Sequence, residues 1–183
     1  MNDATALPTA GEVVGFWRDA GYEKWFRGGD AFDEEVRRYL EAAHFTAARR
    51  ELEAWMDDAE GALALQILLD QVPRNIFRGS AHSYATDPLA LHYARRMIET
   101  GLDQEVEEGL RMFCYLAFEH SERIADQEDA VALMRDLGEM ALDYAVRHFD
   151  VIERFGRFPH RNHALGRANT AEEQAWLDAG GGF

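Results

Sequence analysis

The stretch that most narrows the possible folds runs from Gly61 to Val72. Ala62, Leu63, Ala64, Leu65, Ile67, Leu68, Leu69 and Val72 are apolar almost all the way round a helical wheel, where a surface helix would keep one polar face. Such a segment has to be surrounded, so it is read as the central helix of a packed core. Pro73 predicts its end, because proline has no N–H for the helical ladder and its ring clashes with the preceding turn. Asp70 and Gln71 then fall at the C-terminal end of the most buried helix, against the sign preference of the helix dipole. A carboxylate there needs a cation or donors, and Arg74 is the nearest candidate.

The flanking chain carries helical signals throughout. Val13, Val14, Trp17 and Ala20 recur at helical spacing before Gly21, which predicts a stop. Asp30 is a candidate N-cap for a helix from Ala31 to about His44, and a further helical stretch is expected over residues 46–57. Asn75 to Ala85 reads as a loop, followed by Thr86-Asp87-Pro88 as a helix start with Asp87 capping. Longer helices are expected over about 104–123 and over about 128–152, the latter interrupted near Gly138. Thr170-Ala171-Glu172-Glu173 has the form of a capping box for a short last helix. No segment alternates with period two over a useful length, so the expectation is an all-α fold of roughly seven to nine helices in one domain over residues 1–183.

Charge excludes some partners. With 183 residues and a net charge of −15, the chain offers neither the basic surface that nucleic acid requires nor one suited to an anionic membrane. No apolar stretch has the length of a membrane helix, and Met1 to Thr5 lack the charged leader and apolar core of a secretory signal, so the expected location is cytoplasmic. Cys114 is the sole cysteine and sits in the apolar run 112–118, where a buried inert thiol is expected, without a disulfide framework.

Against this acidic background, residues 154–167 hold four arginines, two histidines, an asparagine and no acid. Arginine stays protonated and presents a rigid fork of donors, so the cluster needs anionic partners: the chain's own carboxylates or a bound anion. Gly156, Pro159 and Gly166 break regular structure and make this a shaped loop.

Three blocks carry a family resemblance. They are residues 69–79 (Leu-Asp-Gln-Val-Pro-Arg-Asn-Ile-Phe-Arg-Gly), Arg111-Met112-Phe113 leading to Glu119-His120-Ser121-Glu122, and Phe155-Gly156-Arg157-Phe158-Pro159-His160-Arg161-Asn162. In this order they resemble the DUF924 family, and Phe16-Trp17, Trp25-Phe26 and Phe32-Asp33 are similar to its opening. The resemblance implies a tetratricopeptide-like, α-α superhelical architecture and carries no activity. The repeat consensus of true tetratricopeptides is not readable in the chain. Ala117 is a departure, at a position where the family commonly has proline.

Joining the blocks gives a candidate polar pocket for a small carboxylate or phosphate. Arg157, Arg161, His160, Asn162, Arg74, Asn75, Asp70 and Glu122 are its expected ligand-binding residues, and His160, His120 and Glu119 its candidate acid–base groups. Asp70 with Arg157 is the expected structural pair at its edge. Pairs such as Glu119 with Glu122, or His160 with His163, lack a metalloprotease pattern and stand beside arginines, so no metal and no cofactor is expected. His44, His82, His92 and His148 read as ordinary helix or loop residues. The competing reading is a helical protein-interaction or self-association module in which the Arg/His/acid cluster is a structural ion-pair network.

Overall fold

The computed structural model describes residues 7–183 and is all-α, with no strand among the described residues. Met1 to Thr5, read above for a signal, lie outside that range. Helix α1 spans Ala10–Arg27, capped by a box in which Thr9 accepts from the Glu12 N–H and Glu12 accepts from the Thr9 N–H. Gly21 does not end it; at φ 70° it kinks the helix, and the chain resumes helical form to Arg27. Helix α2 (Gly29–Ala48) starts without a side-chain cap, so Asp30 lies inside its first turn. The helix expected over 46–57 is instead the end of α2, a tight turn with Arg50 at φ 63°, and a 3-10 turn over Glu53–Asp57.

The central segment is continuous where proline was expected to stop it. Helix α3 (Ala59–Gln66) passes into a π turn over Ile67–Gln71 and then into α4 (Val72–Ile76), with Pro73 in its first turn. Gly61 lets α3 approach the preceding turn, because a Cβ there would lie 2.2 Å from the Trp55 carbonyl oxygen. Residues 61–73 are all buried, and the segment packs against α1, α2 and α5 (Asp87–Thr100). Trp17 of α1 meets Phe113 edge-on at 5.7 Å and closes the core above it.

The π turn explains how proline is tolerated. The Val72 N–H reaches back five residues to Ile67 rather than four to Leu68, which frees the Leu68 carbonyl. Pro73 has no N–H for Leu69. Side chains fill both vacancies: His44 Nδ1 donates to Leu68 at 2.8 Å and Thr86 Oγ1 donates to Leu69 at 2.5 Å. Arg74 Nη1 then donates to the Asp70 carbonyl at 2.7 Å, and Asn75 Nδ2 to that of Gln71 at 2.9 Å. The two carbonyls that the ladder leaves open are thus satisfied by side chains from outside it, as burial requires, and those of Asp70 and Gln71 also accept from side chains of the following turn.

The single helix expected over about 104–123 is instead the end of α6 (Leu102–Glu105), a 3-10 turn (Arg111–Cys114) and α7 (Leu116–Glu119). Gln127 at the buried face of α8 (Ile124–Met134) stabilises the exit from α7: its Nε2 donates to the carbonyls of Glu119 at 2.7 Å and Ser121 at 2.6 Å. Gly138, at φ 109°, separates α8 from α9 (Glu139–Phe155), as the sequence suggested. Thr170 and Glu173 form the expected capping box of α10 (Ala171–Asp178). Cys114 is buried, and burial pushes its thiol up to about 12, so it is inert as expected. None of the helices is long and apolar enough to cross a membrane.

Candidate functional site

A cleft of about 820 Å³ opens between the α1 kink, the π turn with α4, the α7 exit, α9 and the loop after α9. Its exposed lining combines apolar side chains, Tyr22, Phe26, Met140 and Tyr144, with the charged Arg78, Glu108, Glu139 and Arg147. Its floor is polar: Arg74, Asn75, Glu119, His120, His148, His160 and Arg161. An apolar cavity of this size with a few convergent polar groups is the usual form of a small-molecule site.

The π turn brings Asp70 into this floor. Asp70 is 1% exposed and accepts from His120 Nδ1 at 2.8 Å and Gln71 Nε2 at 2.6 Å, with Arg74 Nη1 3.1 Å away. Burial alone would raise its carboxyl, but the Arg74 charge and the hydrogen bonds from His120 and Gln71 outweigh it and hold it below the usual carboxylate range. Arg74 reaches Asp87 with both terminal nitrogens, at 2.8 and 3.0 Å. Asp87, expected to cap α5, therefore makes no cap bond and serves as a counter-charge instead.

Arg161 is treated differently by the fold. A 3-10 turn at Pro159–Arg161 carries it inward, to 5% exposure. Its guanidinium lies over Phe158 at 4.3 Å and Tyr84 at 4.7 Å, which fix its plane. Nη1 donates to the His120 carbonyl at 3.0 Å and reaches Asp87 only at 3.4 Å. Nε is buried without a partner, and Nη2 makes no hydrogen bond among the described residues. Burial, then repulsion from Arg74, brings the guanidinium down to about 10, the mark of a cation short of counter-charge. A planar donor edge without acceptors suits a carboxylate, which such an edge binds in two parallel hydrogen bonds.

The other titratable groups of the floor are neutral near pH 7. Burial, then the Asp70 charge, pushes Glu119 up to about 8. Burial, then the positive field of its neighbours, brings His148 down to about 3 and His160 to about 4. The 3.1 Å contact of His148 with Glu119 therefore joins an imidazole and a carboxylic acid, not two ions. His120 is also lowered, by burial and Arg74. With Nδ1–H given to Asp70, it keeps an unbonded Nε2 at the cleft.

Of the residues proposed from sequence, Arg74, Asn75, Glu119, His120, His160 and Arg161 line the cleft and Asp70 stands directly behind them. Three others lie elsewhere. Arg157 gives both ends of its fork to Glu173, at 2.6 and 2.8 Å, and holds that carboxyl at about 2. The expected Asp70–Arg157 pair is thus not formed; each has a nearer partner on its own side of the fold. Glu122 takes both ends of Arg167, at 2.7 and 2.9 Å, and the Phe158 N–H at 2.8 Å. Asn162 donates to Asn169 at 2.8 Å. Among the described residues no group of three or more His, Cys, Asp or Glu could hold a metal ion. Sequence reasoning missed His148, Asp87 and Tyr84. His148 had one usable signal, its helical register with Tyr144 and Ile152 on a shared stripe of α9.

The chain is similar to known proteins over nearly its whole length. The model of a family described as bacterial protein of unknown function, DUF924, matches residues 13–181. A solved structure of a protein of unknown function from Agrobacterium tumefaciens is 52% identical, with a TM-score of 0.91 over 93% of this chain and 97% of that one. No curated protein matches the chain. The resemblance carried by the three sequence blocks therefore holds for the chain as a whole: it belongs to the DUF924 family.

Proposed function

We propose that the protein binds a small organic monocarboxylate in this cleft, with Arg161 as its anchor. The observation that carries the reading is the Nε–Nη2 edge of Arg161 at the cleft, with Nε buried and neither nitrogen given an acceptor among the described residues. An orphaned donor in a buried cation is costly unless something completes it. A monoanion fits better than a phosphate. Asp70 and Asp87 are taken up chiefly by Arg74, which leaves Arg161 room for about one negative charge, and Glu108 and Glu139 line the same cleft, so a second negative charge would be repelled. The apolar side chains of the lining, Tyr22, Trp25, Phe26, Met112 and Tyr144 among them, favour a ligand with a hydrophobic body. Arg154, Arg157 and Arg167 belong to the structural reading of the loop instead, since each is paired with Glu172, Glu173 or Glu122.

The test is thermal unfolding against matched sets of short-chain and aryl carboxylates and their phosphate counterparts. A carboxylate at a hundred times its dissociation constant adds about 2.7 kcal/mol, or about 5–10 °C for a chain of this size. Shifts of that order with carboxylates alone support the reading; shifts with phosphates alone, or with neither class, defeat it.

A second reading, catalysis, is favoured by the Asp70–His120 pair, with its unbonded Nε2 beside Arg161. In it, His120 takes a proton from a water that attacks an ester carbonyl, the ester C–O bond breaks, the departing alkoxide takes that proton back from His120 and leaves as the alcohol, and the carboxylate product stays on Arg161. Removing a general base costs roughly 10²–10⁴-fold in rate. A screen of such esters with His120→Gln as control tests it, and turnover unaffected by that substitution would exclude His120 as the base.

A further inference from the structure

The cleft already contains an aromatic ring from its own chain. Phe183 stacks on the His148 imidazole with centroids 3.6 Å apart and planes 12° from parallel. His160 and Phe158 meet the same ring edge-on, at 5.7 Å and 79° and at 6.2 Å and 89°. Arg147 lies 5.7 Å from its centroid. These groups form an aromatic box with a cation on one wall, and the box is rigid where it matters. His148 is 5% exposed, with Nδ1 donating to the Tyr144 carbonyl at 2.8 Å and Glu119 Oε1 lying 3.1 Å away. Phe183 is held far less firmly: it remains 49% exposed and follows a Gly180-Gly181-Gly182 run, with Gly180 at φ 86° and Gly182 at φ 133°. Glycine tethers reorient with little steric cost.

We propose that the box is a ligand subsite for a planar aromatic ring, occupied by Phe183 when the cleft is empty and vacated when an aryl carboxylate binds. The inference rests on the carboxylate reading above and deepens it by naming the body of the ligand. Phe158 links the two halves, since Arg161 lies over its ring at 4.3 Å while Phe183 sits at its edge. A ring in the Phe183 position and a carboxylate on the free edge of Arg161 are therefore within reach of one short alkyl linker. Phe183 competes only for the ring half, so removing its side chain tightens aryl carboxylates selectively.

The experiment is calorimetric titration of wild type and Phe183→Ala with 3-phenylpropionate, with hexanoate as the aliphatic carboxylate and 3-phenylpropanol as the uncharged aryl probe. Phe183 lies on an exposed segment, and a melting curve checks that the variant is folded. The expected result is that 3-phenylpropionate binds more tightly than hexanoate and gains roughly three- to tenfold in Phe183→Ala, the range of one aromatic contact, while hexanoate changes little. Equal binding of the two carboxylates, unaltered in the variant, overturns the aromatic subsite and leaves the carboxylate reading standing. Equal binding of 3-phenylpropanol and 3-phenylpropionate keeps the subsite but defeats the anion anchor. Binding of none of the three in either protein defeats both.

Discussion

Two arginines that reach the same carboxylate, Arg161 buried and Arg74 half-buried, have opposite roles. Arg74 neutralises Asp70 and Asp87, so Arg74→Met would strand one buried and one half-buried anion and cost about 3 kcal/mol, read as a lower urea midpoint. Arg161 is short of counter-charge, and Asp87 keeps Arg74 without it, so Arg161→Met should leave stability within about 1 kcal/mol of wild type or raise it. A collapse of Arg161→Met comparable to that of Arg74→Met would contradict this assignment. Glu119 gives a second prediction. Held up to about 8, its carboxyl loses its proton above that pH and adds a negative charge to the site. Carboxylate affinity should therefore fall between pH 7 and 9 in wild type, and Glu119→Gln should flatten the fall. Little of this contrast was legible in the sequence. Arg154, Arg157, Arg161 and Arg167 look alike in the chain, and only the 3-10 turn at Pro159 to Arg161 decides which one faces inward.

At the scale of elements, the π turn positions the floor of the cleft. It depends on donors outside the helix, of which Thr86 is the cleanest to remove. Thr86→Val keeps the shape but leaves the Leu69 carbonyl buried and unpaired, with an expected loss of about 1–3 kcal/mol in chemical denaturation. A neutral substitution would mean that the turn does not need that donor. The apolar pattern of residues 61–72 announced a central helix correctly. Its apparent end at Pro73 was misleading, because the donors that rescue the proline, His44 and Thr86, lie at distant positions in the chain. Residues 104–123 misled in the other direction. Their helical spacing is real, but the chain turns at Val106 and Tyr115, and the broken ends are satisfied by Gln127, whose register with α7 no local pattern shows. The Gly138 break and the Thr170 capping box were legible because their physics is local.

Across the whole molecule, buried histidines set the acid limit. His44, His120, His148 and His160 are all lowered, each first by burial, from an ordinary value of 6.5. The unfolded chain thus binds more protons than the folded one below that pH, and stability is lost as pH falls, by up to about 1.4 kcal/mol per unit for each histidine. Glu119 acts with the opposite sign: its folded value is raised, so its contribution is fully present below 4.5 and is lost as pH rises through about 8. Together they predict a melting temperature that peaks near neutrality and falls more steeply on the acid side, checked by melts from pH 5 to 9. A flat acid limb would mean that these imidazoles are not held neutral. The central claim is that the unpaired edge of Arg161 anchors a carboxylate, and calorimetric titration of 3-phenylpropionate into wild type and folded Arg161→Met tests it most directly. The account predicts binding to wild type and a loss of roughly 30-fold or more in the variant, with its melting temperature preserved. Equal affinity for the two proteins would contradict it.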